Sequence, residues 1–226
     1  MATALSARLR GLERAKSREP ANGVGGHVRV IAGKYRSRRL QTLRGTALRP
    51  SSDRLRETLF NILGAAIEGA IFVDVFAGSG AVGIEALSRG AYGAIFVENH
   101  PAGAALISRN LASLGIPMAA HVARRRTFAG TAEILRMDAM DALERLARGG
   151  ARVDFLFADP PYAKIRAYQE ILAFLGKSEL LTRSGQLIAE HRRNSDLPTV
   201  AGHLERTRVV EQGNTALSFY KPILAA

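Results

Sequence analysis

The chain of 226 residues contains no cysteine and no tryptophan. The absence of cysteine excludes disulfide frameworks, thiolate zinc sites and a cysteine nucleophile. No apolar run reaches the roughly 18 residues that a membrane-spanning helix needs, and the N-terminus lacks the apolar core of a secretory signal. Hydrophobic residues make up 47% and charged residues 23%, as in ordinary globular proteins. We therefore expect a cytoplasmic protein without a membrane partner.

Positive charge is concentrated at one end of the chain. Lys and Arg number 32 against 20 Asp and Glu, which gives a formal net charge of +12. Up to Arg56 there are 14 basic and 3 acidic residues, and the remainder holds 18 and 17, so the first quarter carries +11. A basic segment joined to a neutral body favours a partner with a phosphate backbone, although a solvated tail would carry the same charge.

The composition and periodicity divide the first quarter into two segments. Residues 1–26 are rich in Arg, Ala and Gly and predict a flexible basic tail. Residues 27–66 predict a basic β-hairpin, with strands near His27–Gly33 and Arg38–Leu43, followed by an amphipathic helix that ends near Ala66. We expect this second segment to dock RNA.

Residues 67–226 alternate between short apolar segments and helical segments. The predicted strands are Ile71–Val75, Gly93–Val97, Ile134–Met137, Val153–Ala158 and Gln186–Glu190, and a hairpin of Arg206–Glu211 with Ala216–Tyr220 follows them. Repeated strand–helix units predict a Rossmann-like α/β domain. We expect a mostly parallel, seven-stranded sheet with helices on both faces and a C-terminal antiparallel hairpin.

A glycine-rich segment follows the first of these strands. Asp74 lies within the strand, and Gly78, Gly80 and Gly83 match the spacing of a dinucleotide-binding loop. Glu98 follows the second strand, where an acid can accept hydrogen bonds from both hydroxyls of a ribose. The pattern predicts a cofactor that contains adenosine and leaves a nicotinamide cofactor and S-adenosylmethionine open.

A second motif, Asp159, Pro160, Pro161 and Tyr162, follows the fourth strand. The two prolines stiffen the loop and donate no backbone hydrogen bonds. The Asp159 carboxylate and the Pro160 carbonyl remain as acceptors beside an aromatic ring. This set suits a planar base with an exocyclic amino group, because the ring stacks on the base while the acceptors take the two amino hydrogens.

Together the two motifs resemble the S-adenosylmethionine-dependent amino-methyltransferases of nucleic acids. Three further runs are similar to one branch, the RsmD family of 16S rRNA guanine-N2 methyltransferases: Arg29–Arg36, Arg49–Asn61 and Gly213–Tyr220. The resemblance extends from about His27 to the C-terminus, and the stretch Ile116–Thr131 is longer than the family pattern. It implies S-adenosylmethionine as cofactor, no metal, and 16S rRNA or the assembling 30S subunit as partner, with guanine 966 as the family's target.

The resemblance also implies roles for individual residues. The implied catalytic residues are Asp159, Pro160, Pro161 and Tyr162. The implied cofactor-binding residues are Asp74, Phe76, Ala77, Gly78, Ser79, Gly80, Glu98, Asn99, Asp138 and Ala139. The basic residues expected to contact RNA are Arg29, Lys34, Arg36, Arg38, Arg39, Arg49 and Arg54. We expect a monomer, since the length matches one complete catalytic unit.

Three alternatives stay open at the level of sequence. The same chemistry on adenine N6 or cytosine N4 of DNA is opposed by the segment Arg29–Asn61, which favours the ribosomal branch. An NAD-dependent oxidoreductase is opposed by the Asp-Pro-Pro-Tyr segment and by the scattered positions of the five histidines. A non-catalytic RNA-binding protein would keep the basic hairpin but would not need Asp74, Glu98 and Asp159 together.

Overall fold

A computed structural model describes residues 24–43, 50–124, 129–161 and 165–223. At its N-terminal end, β1 (Val24–Arg29) and β2 (Arg39–Leu43) form an antiparallel pair, which confirms the predicted hairpin. Strand β1 begins inside the segment predicted as tail, because Val24 pairs with Leu43 across a bulge. The tail before Val24 lies outside the described residues.

The amphipathic helix is also present. Helix α1 (Pro50–Leu63) is followed by a 3₁₀ turn at Gly64–Ile67. No helix in the described ranges is long and apolar enough to cross a bilayer.

The rest of the chain builds one sheet with flanking helices. In chain order the elements are β3 (Ile71–Val75), α2 (Ala81–Ser88), β4 (Gly93–Val97), α3 (Pro101–Ser113), β5 (Thr131–Leu135), α4 (Ala139–Arg148), β6 (Val153–Ala158), α5 (Ile165–Leu175), β7 (Leu181–Arg192), β8 (Val200–Ala201), β9 (Leu204–Gln212) and β10 (Thr215–Pro222). The strand order is β5-β4-β3-β6-β7-β10-β9-β8. Strands β3 to β7 pair in parallel, and β10, β9 and β8 continue the sheet in antiparallel fashion.

This architecture confirms the predicted Rossmann-like α/β class with its C-terminal antiparallel hairpin. The described sheet has eight strands rather than seven, because Val200–Ala201 adds a two-residue edge strand to β9. The strand order reverses between β3 and β6, and ligands of such sheets bind at the carboxyl ends of the strands on either side of that reversal.

Two strands of the parallel part of the sheet differ from their predicted bounds. Strand β5 covers Thr131–Leu135 instead of Ile134–Met137, and it includes a buried carboxylate, Glu133, that accepts a hydrogen bond from the Val122 amide at 2.9 Å. A charged residue within a strand interrupts the apolar pattern, so the pattern predicted a start for β5 that lies too far along the chain. Strand β7 covers Leu181–Arg192 instead of Gln186–Glu190, because an irregular register opposite β6 accommodates its polar first half.

Helix α1 covers one face of the central strands. Its residues Leu59 and Phe60 pack with Phe72, Phe155 and further apolar side chains of β6, β7 and β10 in one buried cluster. The rings of Phe60 and Phe72 stack with centroids 5.9 Å apart. This packing places the N-terminal half of α1 above the carboxyl ends of β3, β6 and β7.

The hairpin is fixed to the α/β domain as well. Val28, Val30 and Leu40 pack with apolar residues of α2 and α3. The fully buried Glu85 carboxylate of α2 accepts hydrogen bonds from the Ile31 and Ala32 amides at 2.8 and 3.0 Å. The hairpin and α1 therefore share their cores with the sheet and its helices, and the division of the chain at residues 26 and 66 stays a prediction from sequence.

Candidate active site

The loop between β3 and α2 turns sharply through residues with positive φ. Phe76, Gly78 and Gly80 have φ values of 66°, 54° and 77°. A positive φ in a non-glycine residue costs roughly 1–3 kcal/mol, and such residues cluster at ligand sites. Gly80 is the N-cap of α2, so the loop presents the N-terminus of this helix to the crevice.

Asp74 lies beneath this loop. Its carboxylate is 2% exposed, and Oδ2 accepts a hydrogen bond from the Gly83 amide at 2.9 Å. Burial raises the pKa of Asp74 to about 7; the Gly83 amide opposes this shift, whereas the carboxylates of Asp159 and Glu98 add to it. A buried acid beside two other acids favours a cationic ligand.

Glu98 follows β4 and is held from both sides. Its Oε2 accepts a hydrogen bond from the Gly78 amide at 2.9 Å, and its Oε1 accepts one from the His100 amide at 2.8 Å. Each carboxylate oxygen keeps lone-pair capacity for a further donor, such as a hydroxyl of a ligand. The contact to Gly78 also ties the position of Glu98 to that of the glycine loop.

Two adjoining cavities lie at this edge of the sheet. The inner cavity has a volume of about 350 Å³ and lies between the hairpin, α1 and the ends of β3, β6 and β7; its walls include Thr42, Arg56, Asp74, Phe76, Ala77, Gly78, Ser79, Asp159 and Glu190. The outer cavity has a volume of about 330 Å³ and is lined by Phe76, Gly78, Glu98, Asn99, Asp159, Pro160 and Pro161. Phe76, Gly78 and Asp159 belong to both. The structure thus brings the predicted residues of three strand ends into one connected site.

Asp159 stands where the two cavities meet. It directly follows β6, and its backbone amide reaches the Val75 carbonyl at 3.5 Å. Burial raises the pKa of its carboxyl to about 7. Tyr162 of the same motif lies outside the described residues, as does Arg49 of the expected RNA-binding residues.

Three predicted cofactor residues do not line either cavity: Gly80, which caps α2, and the neighbours Asp138 and Ala139 at the start of α4. Asp138 is exposed and serves as the N-cap of α4, where its side chain accepts a hydrogen bond from the Met140 amide at 3.0 Å. Ala139 is the first, buried residue of that helix. The capping bond gives Asp138 a structural reason to be there, and the cofactor role of all three residues stays a prediction.

Three polar residues that the sequence did not single out line the inner cavity. The buried Arg56 guanidinium donates to the Arg29 carbonyl at 2.7 Å and to Asp53 at 3.2 Å, yet its Nε has no hydrogen-bond partner. The Thr42 hydroxyl is buried without a partner as well. Glu190, two residues before the carboxyl end of β7, is the third, and it lies beside Asp159. Only its position near a strand's carboxyl end could have indicated it from sequence.

The basic residues expected to contact RNA lie on the surface. Arg29, Lys34, Arg36, Arg38, Arg39 and Arg54 are all exposed. Arg29 and Arg39 are directly opposite each other in the hairpin, an arrangement that repels unless a polyanion is near. Elsewhere in the described chain, no cluster of three or more His, Asp or Glu side chains could hold a metal ion.

Fold and site together define a Rossmann-like methyltransferase. The family model described as "Conserved hypothetical protein 95" matches residues 28–221, and the chain belongs to this family, which confirms its resemblance to RsmD proteins. The chain is 33% identical over 204 residues to "Ribosomal RNA small subunit methyltransferase D" of Escherichia coli (strain K12), covering 90% of this chain and 94% of the relative. It is 34% identical over 194 residues to YlbH of Bacillus subtilis (strain 168), covering 86% of this chain and 98% of the relative.

Solved structures agree with this assignment. The structure of yhhF from Escherichia coli has a TM-score of 0.70 at 32% identity, covering 87% of this chain and 98% of that one. The Thermus thermophilus 16S rRNA N2 G1207 methyltransferase RsmC, solved with AdoMet and guanosine, has a TM-score of 0.62 at 16% identity, covering 90% of this chain and 52% of that one. At that identity the second likeness concerns the fold alone.

Proposed function

We propose that this chain is a cytoplasmic, monomeric enzyme that transfers a methyl group from S-adenosylmethionine to the exocyclic N2 of a guanine in 16S rRNA. The observation that carries the proposal is the meeting of Asp159 and Pro160 with the glycine loop in the walls of one connected site. The Escherichia coli relative, named for methylation of small-subunit ribosomal RNA, supports the choice of substrate.

The residues of the site fit S-adenosylmethionine. Glu98 offers carboxylate oxygens to a ribose, and the acidic surroundings of Asp74 suit the methionine ammonium. The Thr42 hydroxyl, which has no hydrogen-bond partner, and the Arg56 guanidinium, whose Nε lies 3.9 Å from the Glu85 carboxylate, would supply donors for the methionine carboxylate. Asp138 and Ala139 would hold the adenine. When bound, the cofactor supplies a methyl group already activated on its sulfonium, so the protein's task is alignment.

The acceptors at the end of β6 would increase the weak nucleophilicity of guanine N2. Its lone pair is delocalised into the ring, and accepting its two hydrogens at the Asp159 carboxylate and the Pro160 carbonyl would draw the nitrogen toward tetrahedral geometry. The new bond joins N2 to the methyl carbon while the bond from that carbon to sulfur breaks, and N2 then loses one proton. A carboxylate with a pKa of about 7, as Asp159 has, can accept that proton near neutral pH.

The basic hairpin would position the RNA. Arg29, Lys34 and Arg36, with their basic neighbours, lie on the surface of the protein, and phosphate contacts fix a nucleic acid without reading its sequence. The target guanine has to leave its stack to reach Asp159, so an unpaired nucleotide is the easier substrate.

Methyl transfer from radiolabelled cofactor to three acceptors tests the proposal. Unmethylated 30S particles, naked 16S rRNA and duplex DNA are compared under the same conditions, and we expect label only in the ribosomal acceptors. Asp159→Ala should abolish turnover yet leave the calorimetric affinity for S-adenosylhomocysteine nearly unchanged, because the Asp159 carboxylate binds the base rather than the cofactor. The exposed Asp196→Ala is the matched control. Label in DNA alone, or binding of NAD in place of S-adenosylhomocysteine, would contradict the proposal.

A further inference from the structure

The carboxylate of Glu190 has no role in the packing of the fold or in the methyl transfer proposed above. Its carboxylate lines the inner cavity, and within the described ranges no residue donates a hydrogen bond to it. Its main-chain carbonyl accepts a hydrogen bond from the Tyr168 hydroxyl at 2.6 Å. Placing an unpaired carboxylate in a partly buried position costs free energy, so its presence beside a cavity points to a ligand.

The sheet places Glu190 next to Asp159. Strands β6 and β7 are parallel neighbours with Ala158 opposite Ala189, so Asp159 and Glu190 both follow the same paired row. Phe157 and Ile188, two residues earlier on each strand, pack into the same cluster beneath α1. Because side chains alternate along a strand, Asp159 and Glu190 project to that same face, on strands about 4.8 Å apart. The two carboxyl groups are neighbours on the cavity wall.

The cavity also contains unsatisfied groups that are independent of this pair of acids. Thr42 is 6% exposed and Arg56 is 7% exposed, and the Thr42 hydroxyl and the Arg56 Nε lack hydrogen-bond partners. Both residues line the same inner cavity. The Arg56 Nε faces the Glu85 carboxylate at 3.9 Å. Buried polar groups are normally paired, so the Thr42 hydroxyl indicates a polar ligand in the space between α1 and the strand ends.

The backbone at Glu190 is held by its neighbours. The next residue, His191, is buried, and its ring bonds to the Ser218 hydroxyl and to the Arg192 carbonyl, each at 2.8 Å. On the other side, Leu217 of β10 pairs with Glu190 and closes the cavity. A carboxylate carried by a backbone that is held in this way can select a ligand by the position of its donors.

We infer that Glu190 accepts a hydrogen bond from N1–H of the target guanine and thereby selects guanine over bases that carry an acceptor at that ring position. This inference rests on the proposed function, since it takes guanine N2 as the methylated atom. On the Watson–Crick edge of guanine, N1–H lies next to the N2 amino group, so a base held at Asp159 through N2 directs N1–H along the wall. Adenine N1 and cytosine N3 are acceptors and would face Glu190 with like polarity.

The inference is tested by measuring the turnover of wild-type protein and of Glu190 variants on two different target bases. Small subunits are reconstituted with 16S rRNA that carries either guanine or 2-aminopurine at the methylated position; 2-aminopurine keeps the N2 amino group but has an acceptor at N1. Turnover is measured at pH 8.5, because burial and the neighbouring Asp159 and Asp74 raise the pKa of Glu190 to about 8. We expect wild-type protein to prefer guanine by about 10- to 100-fold in kcat/KM, and Glu190→Ala to lose most of that preference.

Guanine and 2-aminopurine also differ at other groups, but the effect of those groups on turnover is the same in wild type and in the Glu190 variant. It therefore cancels when the two base preferences are compared. Glu190→Gln should retain part of the rate on guanine and gain on 2-aminopurine, since its amide can accept from the first and donate to the second. The exposed Glu170→Gln should keep the wild-type preference.

The outcomes separate the inference from the proposed function. An unchanged base preference in Glu190→Ala, or no preference in wild type, would overturn the role of Glu190 while N2 methylation stands. No transfer by wild type to the guanine-containing particles would instead overturn the proposed function.

Discussion

Replacing Glu85 by glutamine should detach the basic hairpin from the α/β domain. The Glu85 carboxylate is fully buried and accepts hydrogen bonds from the Ile31 and Ala32 amides at 2.8 and 3.0 Å. It also pairs with the Arg89 guanidinium at 2.8 Å. Glutamine keeps the shape, but its NH₂ group would face another donor, and Arg89 would lose its charge partner.

The size of the effect follows from these hydrogen bonds and the ion pair. A buried donor left without a partner costs about 1–3 kcal/mol, and removal of one charge from a buried ion pair costs about 3–5 kcal/mol. The two costs overlap because one carboxylate serves both interactions, so we expect the free energy of unfolding to fall by about 3–5 kcal/mol. With a urea m-value of about 2–3 kcal/mol/M, the midpoint should fall by about 1–2.5 M.

Urea unfolding is followed by far-ultraviolet circular dichroism, since the chain has no tryptophan. Hydrogen exchange at the Ile31 and Ala32 amides reports on the hairpin itself and should accelerate. Glu57→Gln, at an exposed position of α1, is the control and should change the free energy of unfolding by less than about 0.5 kcal/mol. A decrease below about 1 kcal/mol in Glu85→Gln, with both amides still protected, would refute the anchoring role of this carboxylate.

Three other perturbations test the glycine loop, the acid beneath it and the basic surface. Gly83→Ala would place a Cβ 2.4 Å from the Phe96 ring, so the free energy of unfolding should fall by about 1–3 kcal/mol in the same assay; no change would show that the helix can shift. Burial raises the pKa of Asp74 to about 7, so the folded state binds more protons than the unfolded state between about pH 4 and 7. Asp74 should therefore lower the free energy of unfolding by at most about 1.4 kcal/mol per pH unit as pH rises through that range, in addition to what Asp159 and Glu190 contribute through their raised pKa values. Asp74→Asn should make the profile less steep, and an equally steep profile in that variant would assign the effect elsewhere. Replacing Arg36, Arg38 and Arg39 by alanine should weaken RNA binding across sequences and leave the affinity for S-adenosylhomocysteine unchanged. The salt slope of RNA binding should fall by about 0.7–0.9 for each phosphate that is no longer neutralised, and an unchanged slope would remove these residues from the interface.

Strands β3, β4 and β6 lie residue for residue where the sequence predicts them. Each is a short apolar run between turn-forming or polar residues, a pattern that is typical of a strand buried on both faces. The glycine spacing after β3 and the prolines after β6 then placed the crevice at the correct edge of the sheet. Local pattern was sufficient here because each signal lies within a few residues of the next.

The remaining site residues depend on packing between distant parts of the chain. Arg56 and Thr42 reach the inner cavity because α1 and the hairpin pack over the strand ends, and no spacing in the sequence encodes that packing. Glu190 meets Asp159 through the register of β6 and β7, which an irregularity shifts. Asp138 follows its strand in the expected way, yet a helix cap uses its side chain, and a sequence pattern does not distinguish the two uses.

The identity of the modified nucleoside is the most direct test of the central claim. Unmethylated 30S particles are incubated with the purified protein and S-adenosylmethionine, and the 16S rRNA is digested and analysed by mass spectrometry against synthetic standards. We predict N2-methylguanosine, absent when Asp159→Ala replaces the wild type. Recovery of N1-methylguanosine, N6-methyladenosine or N4-methylcytidine in its place would contradict the assignment of Asp159 and Pro160 to the guanine amino group.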